Sequence, residues 1–180
     1  MGYFDELTAA MKMLGRQPKA IFMGQGVSVQ GTTMSATLAQ VPDDKKLEMP
    51  VAENMQMGMA LGMSLRGFLP VCIFPRWNFL LLAADALVNH LDRLPIYSDG
   101  GYMPRVIIRT AVPATQPFYP GPQHDDDFTD AFKSMLRTVH VTKLTNERMI
   151  VPEYCQALAR QGSTLLVEYT EFYKDRRAKA

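Results

Sequence analysis

The chain has 180 residues, 47% of them hydrophobic and 21% charged, with a formal net charge of +1. A chain of this size buries about 70% of its unfolded surface, and its near-neutral balance excludes a general electrostatic pull toward nucleic acid or an anionic membrane. No apolar run approaches the ~18 residues of a membrane span, and the first residues read as a polar amphipathic helix rather than a secretory signal.

Taken in chain order, apolar periodicity predicts helices over 3–15, 32–40, 51–66, 79–97, 128–136 and 152–161, and strands over 19–23, 69–74, 104–110, 138–142 and 164–169. The strands are continuous Val/Ile/Leu/Phe runs, the pattern of strands covered on both faces. Alternating helices and strands of this kind predict an α/β fold: a three-layer sandwich with a mainly parallel sheet and helices on both faces. No linker, repeat or low-complexity tract interrupts the pattern, so residues 1–180 read as a single domain. Pro152, after the polar Thr145-Asn146-Glu147, marks the expected start of the last helix. The basic tail Lys174–Lys179 reads as a solvated, frayed end. The one long irregular stretch, 111–127, holds Pro113, Pro117, Pro120, Pro122 and His124; loops of that length in a compact domain are functional or disordered.

The most informative segment is 49–63, MPVAENMQMGMALGM. Pro50 suits a helix start, where its missing N–H costs nothing, and Glu53 falls in the first turn. Gly58 and Gly62, four apart on one face, suggest close approach of another backbone. A helix apolar nearly all round belongs in a core or an interface. An acid entering such a place is paired, neutral or functional; the plain alternative is a solvated acid placed well for the helix dipole.

Several other groups admit two readings. Met55, Met57, Met59 and Met63 suit soft-metal binding by type, but Met57 points away from the other three on a helix, which favours core and interface filling. His124-Asp125-Asp126-Asp127 is either a divalent-metal cluster or a helix start capped by Asp126 or Asp127. His90 reads as a helix-surface or interface residue and His140 as part of a strand, neither with a nearby nucleophile. Cys72 and Cys155 lack metal or redox spacing and are expected as buried free thiols in a reducing cytoplasm.

The order of these segments resembles one family. An acid-bearing helix (Pro50-Val51-Ala52-Glu53) is followed by the strand Leu69–Phe74, the aromatic turn Pro75-Arg76-Trp77-Asn78-Phe79, a long helix running into Ser98-Asp99-Gly100-Gly101, and a strand ending in Arg109-Thr110. This is similar to the pyrimidine-binding (transketolase-like) domain of thiamine-diphosphate enzymes, most of all the beta subunit of pyruvate and branched-chain 2-oxo acid dehydrogenases. Phe4–Leu14, Ile21–Gly24, Gly31-Thr32-Thr33, Gln123-His124 and Leu165–Glu168 extend the resemblance over nearly the whole chain.

The resemblance implies thiamine diphosphate as cofactor. Glu53 corresponds to the glutamate that hydrogen-bonds the aminopyrimidine N1′, Phe79 to the aromatic that stacks on the ring, Val51 and Pro75 to residues lining the cofactor, and His124 to a histidine facing the substrate. An acid in an apolar, water-poor helix start is what such shared-proton chemistry requires. The Gly-Asp-Gly motif of the metal-diphosphate domain is absent, and Asp99-Gly100-Gly101 reads as a helix-terminating turn. The implied enzyme is therefore a 2-oxo acid dehydrogenase-like assembly. A homodimer of this chain, an alpha-type subunit carrying Mg2+ and the diphosphate, or both, would complete it, and this chain would bind no metal itself. A non-catalytic assembly protein, or a subunit of a 2-oxo acid decarboxylase or split transketolase, are the alternatives. Two departures lie on the substrate side: Ala111-Val112-Pro113-Ala114-Thr115 replaces a glycine-rich loop, and His124 is followed by Asp-Asp where the family has Ser-Gln.

Overall fold

The computed structural model describes residues 2–29, 31–117 and 119–174; from residue 175 on, the basic tail lies outside them. Helix α1 (Tyr3–Gly15) buries Tyr3, Leu7, Ala10, Met11 and Leu14, the three-to-four-residue spacing of an amphipathic helix. Strand β1 (Ala20–Gly24), the short α2 (Thr33–Ala36) and strand β2 (Lys46–Glu48) follow. Helix α3 (Glu53–Leu65) leads to β3 (Leu69–Ile73). Next come α4 (Trp77–Leu81), a π-helical turn at Ala86–Leu91, α5 (Leu94–Tyr97) and β4 (Ile107–Val112). Helix α6 (Thr129–Met135), β5 (His140–Lys143), α7 (Glu147–Ala159) and β6 (Thr164–Tyr169) complete the order. No helix among the described residues is long and apolar enough to cross a membrane.

The six strands form one sheet in the order β2-β1-β3-β4-β6-β5, parallel throughout. Because side chains alternate faces along a strand, the register sorts them into two cores. Phe22, Val71 and Ile107 align across three strands and pack with α1 and α7. Their neighbours Met23, Cys72, Ile108 and Leu165 align likewise and pack with Met57, Trp77, Leu87 and Phe132 on the other face. The expected three-layer arrangement is present.

Two buried polar clusters lock the layers. On the α1/α7 face, the fully buried Arg109 of β4 meets the fully buried Glu168 of β6 in a two-pronged pair, Nε to Oε1 at 2.7 Å and Nη2 to Oε2 at 3.0 Å. Tyr154 donates to the same carboxylate at 2.9 Å, Tyr173 donates to its other oxygen, and Arg109 Nη2 reaches Thr37 Oγ1 at 3.2 Å. Burial pushes both tyrosine hydroxyls well above their usual range, with the Glu168 charge adding to it. Burial disfavours the Arg109 charge, but Glu168 more than offsets it and the guanidinium is held charged. On the opposite face, the fully buried Asp92 accepts the backbone N–H groups of Arg137, Thr138 and Val139 at 2.9, 2.8 and 2.9 Å.

Several elements differ from their sequence-based expectation. The helix expected over 79–97 is broken into three pieces; Asp92 N bonds Leu87 O, five residues back, and this π-type turn aims the Asp92 carboxylate at the entry to β5. The last helix starts at Glu147 rather than at Pro152, because the Asn146 side chain caps it by accepting from Arg148 N at 3.1 Å. Strand β4 continues through Ala111 and Val112, residues read as loop, because they pair with Glu168 and Tyr169. Strand β2 was not anticipated: Lys-Leu-Glu lacks an apolar run and is half-exposed to exposed at the sheet edge. Cys72 is buried, which pushes its thiol up to about 12, whereas Cys155 is exposed.

Candidate functional site

Helix α3 begins at Glu53, so Pro50 lies just before it rather than in its first turn. Three residues on and on the same face, Gln56 is buried and donates to Met23 O and Ile73 O, both at 3.2 Å. These bonds pin the start of α3 across the ends of β1 and β3. The two strands close together there: a Cβ added at Gly24 would collide with Ile73 O, so only glycine fits. Glu53 itself is only 4% exposed, at the positive end of the helix. Gln25 Nε2, the first side chain beyond β1, donates to Glu53 Oε1 at 3.1 Å. A carboxylate has four lone-pair directions, so this bond occupies only one of them.

Gln25 also lines a cavity of about 540 Å³, within the size range of small-molecule and cofactor sites. Its walls come from the carboxyl ends of four neighbouring strands: Gln25 and Gly26 after β1, Pro75 and Arg76 after β3, Pro113 and Ala114 after β4, and Thr170 after β6. Thr33 and Met34 of α2 and Phe79 of α4 close the sides. The chain runs from β1 outward to β2 and returns across β1 to β3. The site thus sits where strand order reverses, the general ligand position of open parallel sheets. The loop after β1 is held by Glu48, whose carboxylate accepts Gly26 N and, at 2.8 Å, Ser28 N.

Of the residues expected at a site, Pro75 and Phe79 line this cavity, and Glu53 adjoins it through Gln25. His124 lies against Phe79, ring centres 6.2 Å apart and 33° between planes; its backbone N donates to Gly121 O at 3.0 Å. Its Nδ1 is buried with no hydrogen-bond partner among the described residues. Val51 is 77% exposed and lines no part of the cavity. Two of the three acids after His124 are engaged elsewhere, and Asp126 is exposed. Asp125 accepts from Tyr119 at 2.6 Å. Asp127 accepts from Thr129 N at 2.9 Å, so capping α6 from one position further back than the helix boundary suggests, and from Tyr169 at 3.1 Å, with Lys143 Nζ at 3.4 Å. Burial opposes the Asp127 charge, but these hydrogen bonds and Lys143 hold its carboxyl below the usual range. Among the described residues, no three His, Cys, Asp or Glu side chains converge as metal ligands.

Other placements follow the helix geometry. Met57 is buried while Met55 and Met59 are exposed, so the methionines do not converge. Gly58 and Gly62 lie on the exposed side of α3, and a Cβ at either meets nothing within 4 Å; no backbone of the described residues passes there. His90 lies 3.6 Å from Asp85 on the surface, and His140 opens β5. Asp99, at φ 48°, and Gly100, at φ 77°, form the turn that ends α5. Sequence reasoning missed Gln25, Thr33, Arg76 and Thr170. Their common signal, a polar residue just past the end of an apolar strand or at a helix start beside it, becomes usable only when the parallel order is known.

No family model matches the chain. The architecture is that of a domain of transketolase-like enzymes: 93% of the chain superposes on transketolase from Campylobacter jejuni subsp. jejuni NCTC 11168, with a TM-score of 0.74, 12% identity and 25% of that chain covered. A split-gene transketolase in an inactive beta4 tetramer matches 94% of the chain and 51% of its own, with a TM-score of 0.71 at 16% identity. By sequence, the chain is similar to the pyruvate dehydrogenase E1 component subunit beta of Chaetosphaeridium globosum, 30% identical over 110 residues, which is 59% of this chain and 34% of that subunit. The match thus spans about a third of the relative's length.

Proposed function

We propose that the chain is the pyrimidine-binding part of a thiamine-diphosphate-dependent, 2-oxo acid dehydrogenase-like enzyme, and that residues 1–180 form that one domain. The observation that carries this reading is Glu53: a buried carboxyl at a helix start, one oxygen held by Gln25, beside a cavity walled by Phe79 and Pro75. These residues fit an aminopyrimidine. The group needs a positioned acid, a flat apolar surface and unspent polar atoms, and His124 Nδ1 is such an atom.

When bound, thiamine diphosphate supplies a carbon nucleophile, formed once its thiazolium ring has lost a proton. Glu53 would hold the proton at the pyrimidine nitrogen through the carboxyl oxygen that Gln25 does not engage, while Gln25 fixes the other oxygen and with it the orientation of the group. Phe79 and Pro75 exclude water and orient the ring. His124, backed by Phe79, faces the substrate. Val51, exposed and outside the cavity lining of this chain, is left for contact with a second chain. That partner, an alpha-type subunit, carries Mg2+ and the diphosphate. The exposed face of α3, with Met55, Gly58, Met59, Gly62 and Leu65, serves a homodimer contact, and the assembly works in the cytoplasm.

The test is Glu53→Gln in the complex reconstituted with the alpha-type subunit. Circular dichroism should be unchanged, while turnover falls roughly 10²–10⁴-fold, the range of a positioned proton-transfer group. An unchanged rate removes Glu53 from the mechanism and the reading with it.

A further inference from the structure

Among the described residues, Arg76 is the one charged residue lining the cavity. Its backbone is extended, φ −153° and ψ 162°, and its carbonyl accepts Phe79 N at 3.2 Å and Leu80 N at 3.3 Å, which fixes it where β3 turns into α4. The side chain is half-buried. Among the described residues its guanidinium makes no hydrogen bond or ion pair, in contrast to Arg109, Arg93 and Arg105, each of which has a partner. Among the described residues no aspartate or glutamate lines the cavity, and its remaining polar walls, Gln25, Thr32, Thr33 and Thr170, are neutral.

A guanidinium cannot shed its charge. Placed half out of water against a cavity without an acid, it loses hydration with no compensating partner. An anion entering the cavity supplies one. We propose that Arg76 determines substrate specificity by pairing with the carboxylate of a small anionic substrate in this cavity; the proposal rests on the reading of the cavity as the pyrimidine site.

The guanidinium fork pairs with two oxygens of a carboxylate or of a phosphate alike, so the charge on offer selects between them. A diphosphate carries several charges and is held by a metal or a group of cations, whereas among the described residues one cation lines this cavity. The cavity of about 540 Å³ also exceeds what a single six-membered ring fills, so ring and acid can occupy it together. A substrate lacking the acid would leave Arg76 unpaired, so the site rejects it.

Trp77, the single tryptophan, adjoins Arg76 and is buried, so its indole N–H resonance reports on this corner of the 180-residue chain. The experiment titrates four probes by NMR: pyruvate, its uncharged methyl ester, inorganic pyrophosphate, and the free aminopyrimidine moiety of the cofactor. Pyruvate should shift the Trp77 signal in the parent, and Arg76→Gln should weaken pyruvate binding roughly ten-fold or more, the loss of a charge-assisted pair. Arg76→Lys should restore part of it, and the methyl ester should bind both forms equally. The aminopyrimidine should bind parent and Arg76→Gln alike, which also shows that the variant is folded. Pyruvate binding that is absent, or unchanged in Arg76→Gln, overturns the proposal, as does pyrophosphate binding more tightly than pyruvate through Arg76. Failure of the aminopyrimidine alone to bind the parent overturns the pyrimidine reading, while an Arg76-dependent pyruvate response still upholds the anion site.

Discussion

Glu168→Gln should be the most damaging single-atom change in this protein. Glutamine keeps the shape of the side chain but removes the counter-charge of Arg109, and both residues are fully buried. The guanidinium stays charged, and its Nη1 already lacks a partner among the described residues. The new amide group also turns a donor toward Arg109, Tyr154 or Tyr173, all of which now donate to the carboxylate. Stranding one half of a buried pair costs about 3–5 kcal/mol, a large share of the 5–15 kcal/mol by which a domain is folded. At about 2 kcal/mol per molar urea, a 4 kcal/mol loss moves the unfolding midpoint down by about 2 M, read by circular dichroism and by Trp77 fluorescence. The double change Arg109→Met with Glu168→Leu should cost less than Glu168→Gln alone, since no charge is left behind. A Glu168→Gln midpoint within about 0.5 M of the parent, about 1 kcal/mol, refutes the reasoning, because it would mean that the pair contributes no more than a surface contact.

Three further outcomes follow from the geometry. Gly62→Leu meets open space in the single chain, so it should leave monomer unfolding unchanged or raise stability by up to about 1 kcal/mol through helix propensity, while weakening self-association by about 1–3 kcal/mol; a parent chain that sediments as a monomer at every concentration contradicts the interface. In calorimetry, the isolated chain should bind thiamine diphosphate with Mg2+ about as weakly as it binds the free aminopyrimidine moiety, and tightly once an alpha-type subunit is present, and submicromolar binding by the chain alone would refute the split site. The folded-state pKa of Asp127 is depressed, so its contribution to stability is fully present above the ordinary aspartate value near 4 and is lost as pH falls through the lower folded value; Asp127→Asn should flatten that acid limb, and an unaltered limb would show that the loop before α6 is not held by this charge.

The α/β architecture was legible because β3, β4 and β6 are continuous apolar runs and because α1 and α3 keep helical spacing. What escaped was set by distant partners. The break of the 79–97 helix serves Asp92, whose acceptor role depends on N–H groups more than forty residues away, and nothing in LVNHLDRL signals it. Strand β2 exists only as an edge added to β1, so its own residues carry no strand pattern. Pro152 outweighed Asn146 in the sequence because a proline inside a helix costs about 3 kcal/mol or more against about 1 kcal/mol from a side-chain cap, yet α7 runs through it with Ile150, Tyr154 and Ala157 buried on either side. At the candidate site, Pro75 and Phe79, which line the cavity, could be named from motif order. Gln25 and Arg76 could not, because their roles depend on which strand ends are neighbours.

The position of β6 has a consequence for how the chain comes to be folded. It is the sixth strand in sequence yet lies inside the sheet, between β4 and β5. A nascent chain emerging amino terminus first can dock β1, β2, β3 and β4 on one another, but β5 has no neighbour until β6 arrives. The charge of Arg109 likewise has no counter-ion until the same strand delivers Glu168. Completion of the sheet and neutralisation of its one buried cation in β4 are therefore a single late event. Pairing across such sequence distances is slow, and until it occurs β4 presents an unpaired, apolar edge that a second nascent chain could occupy.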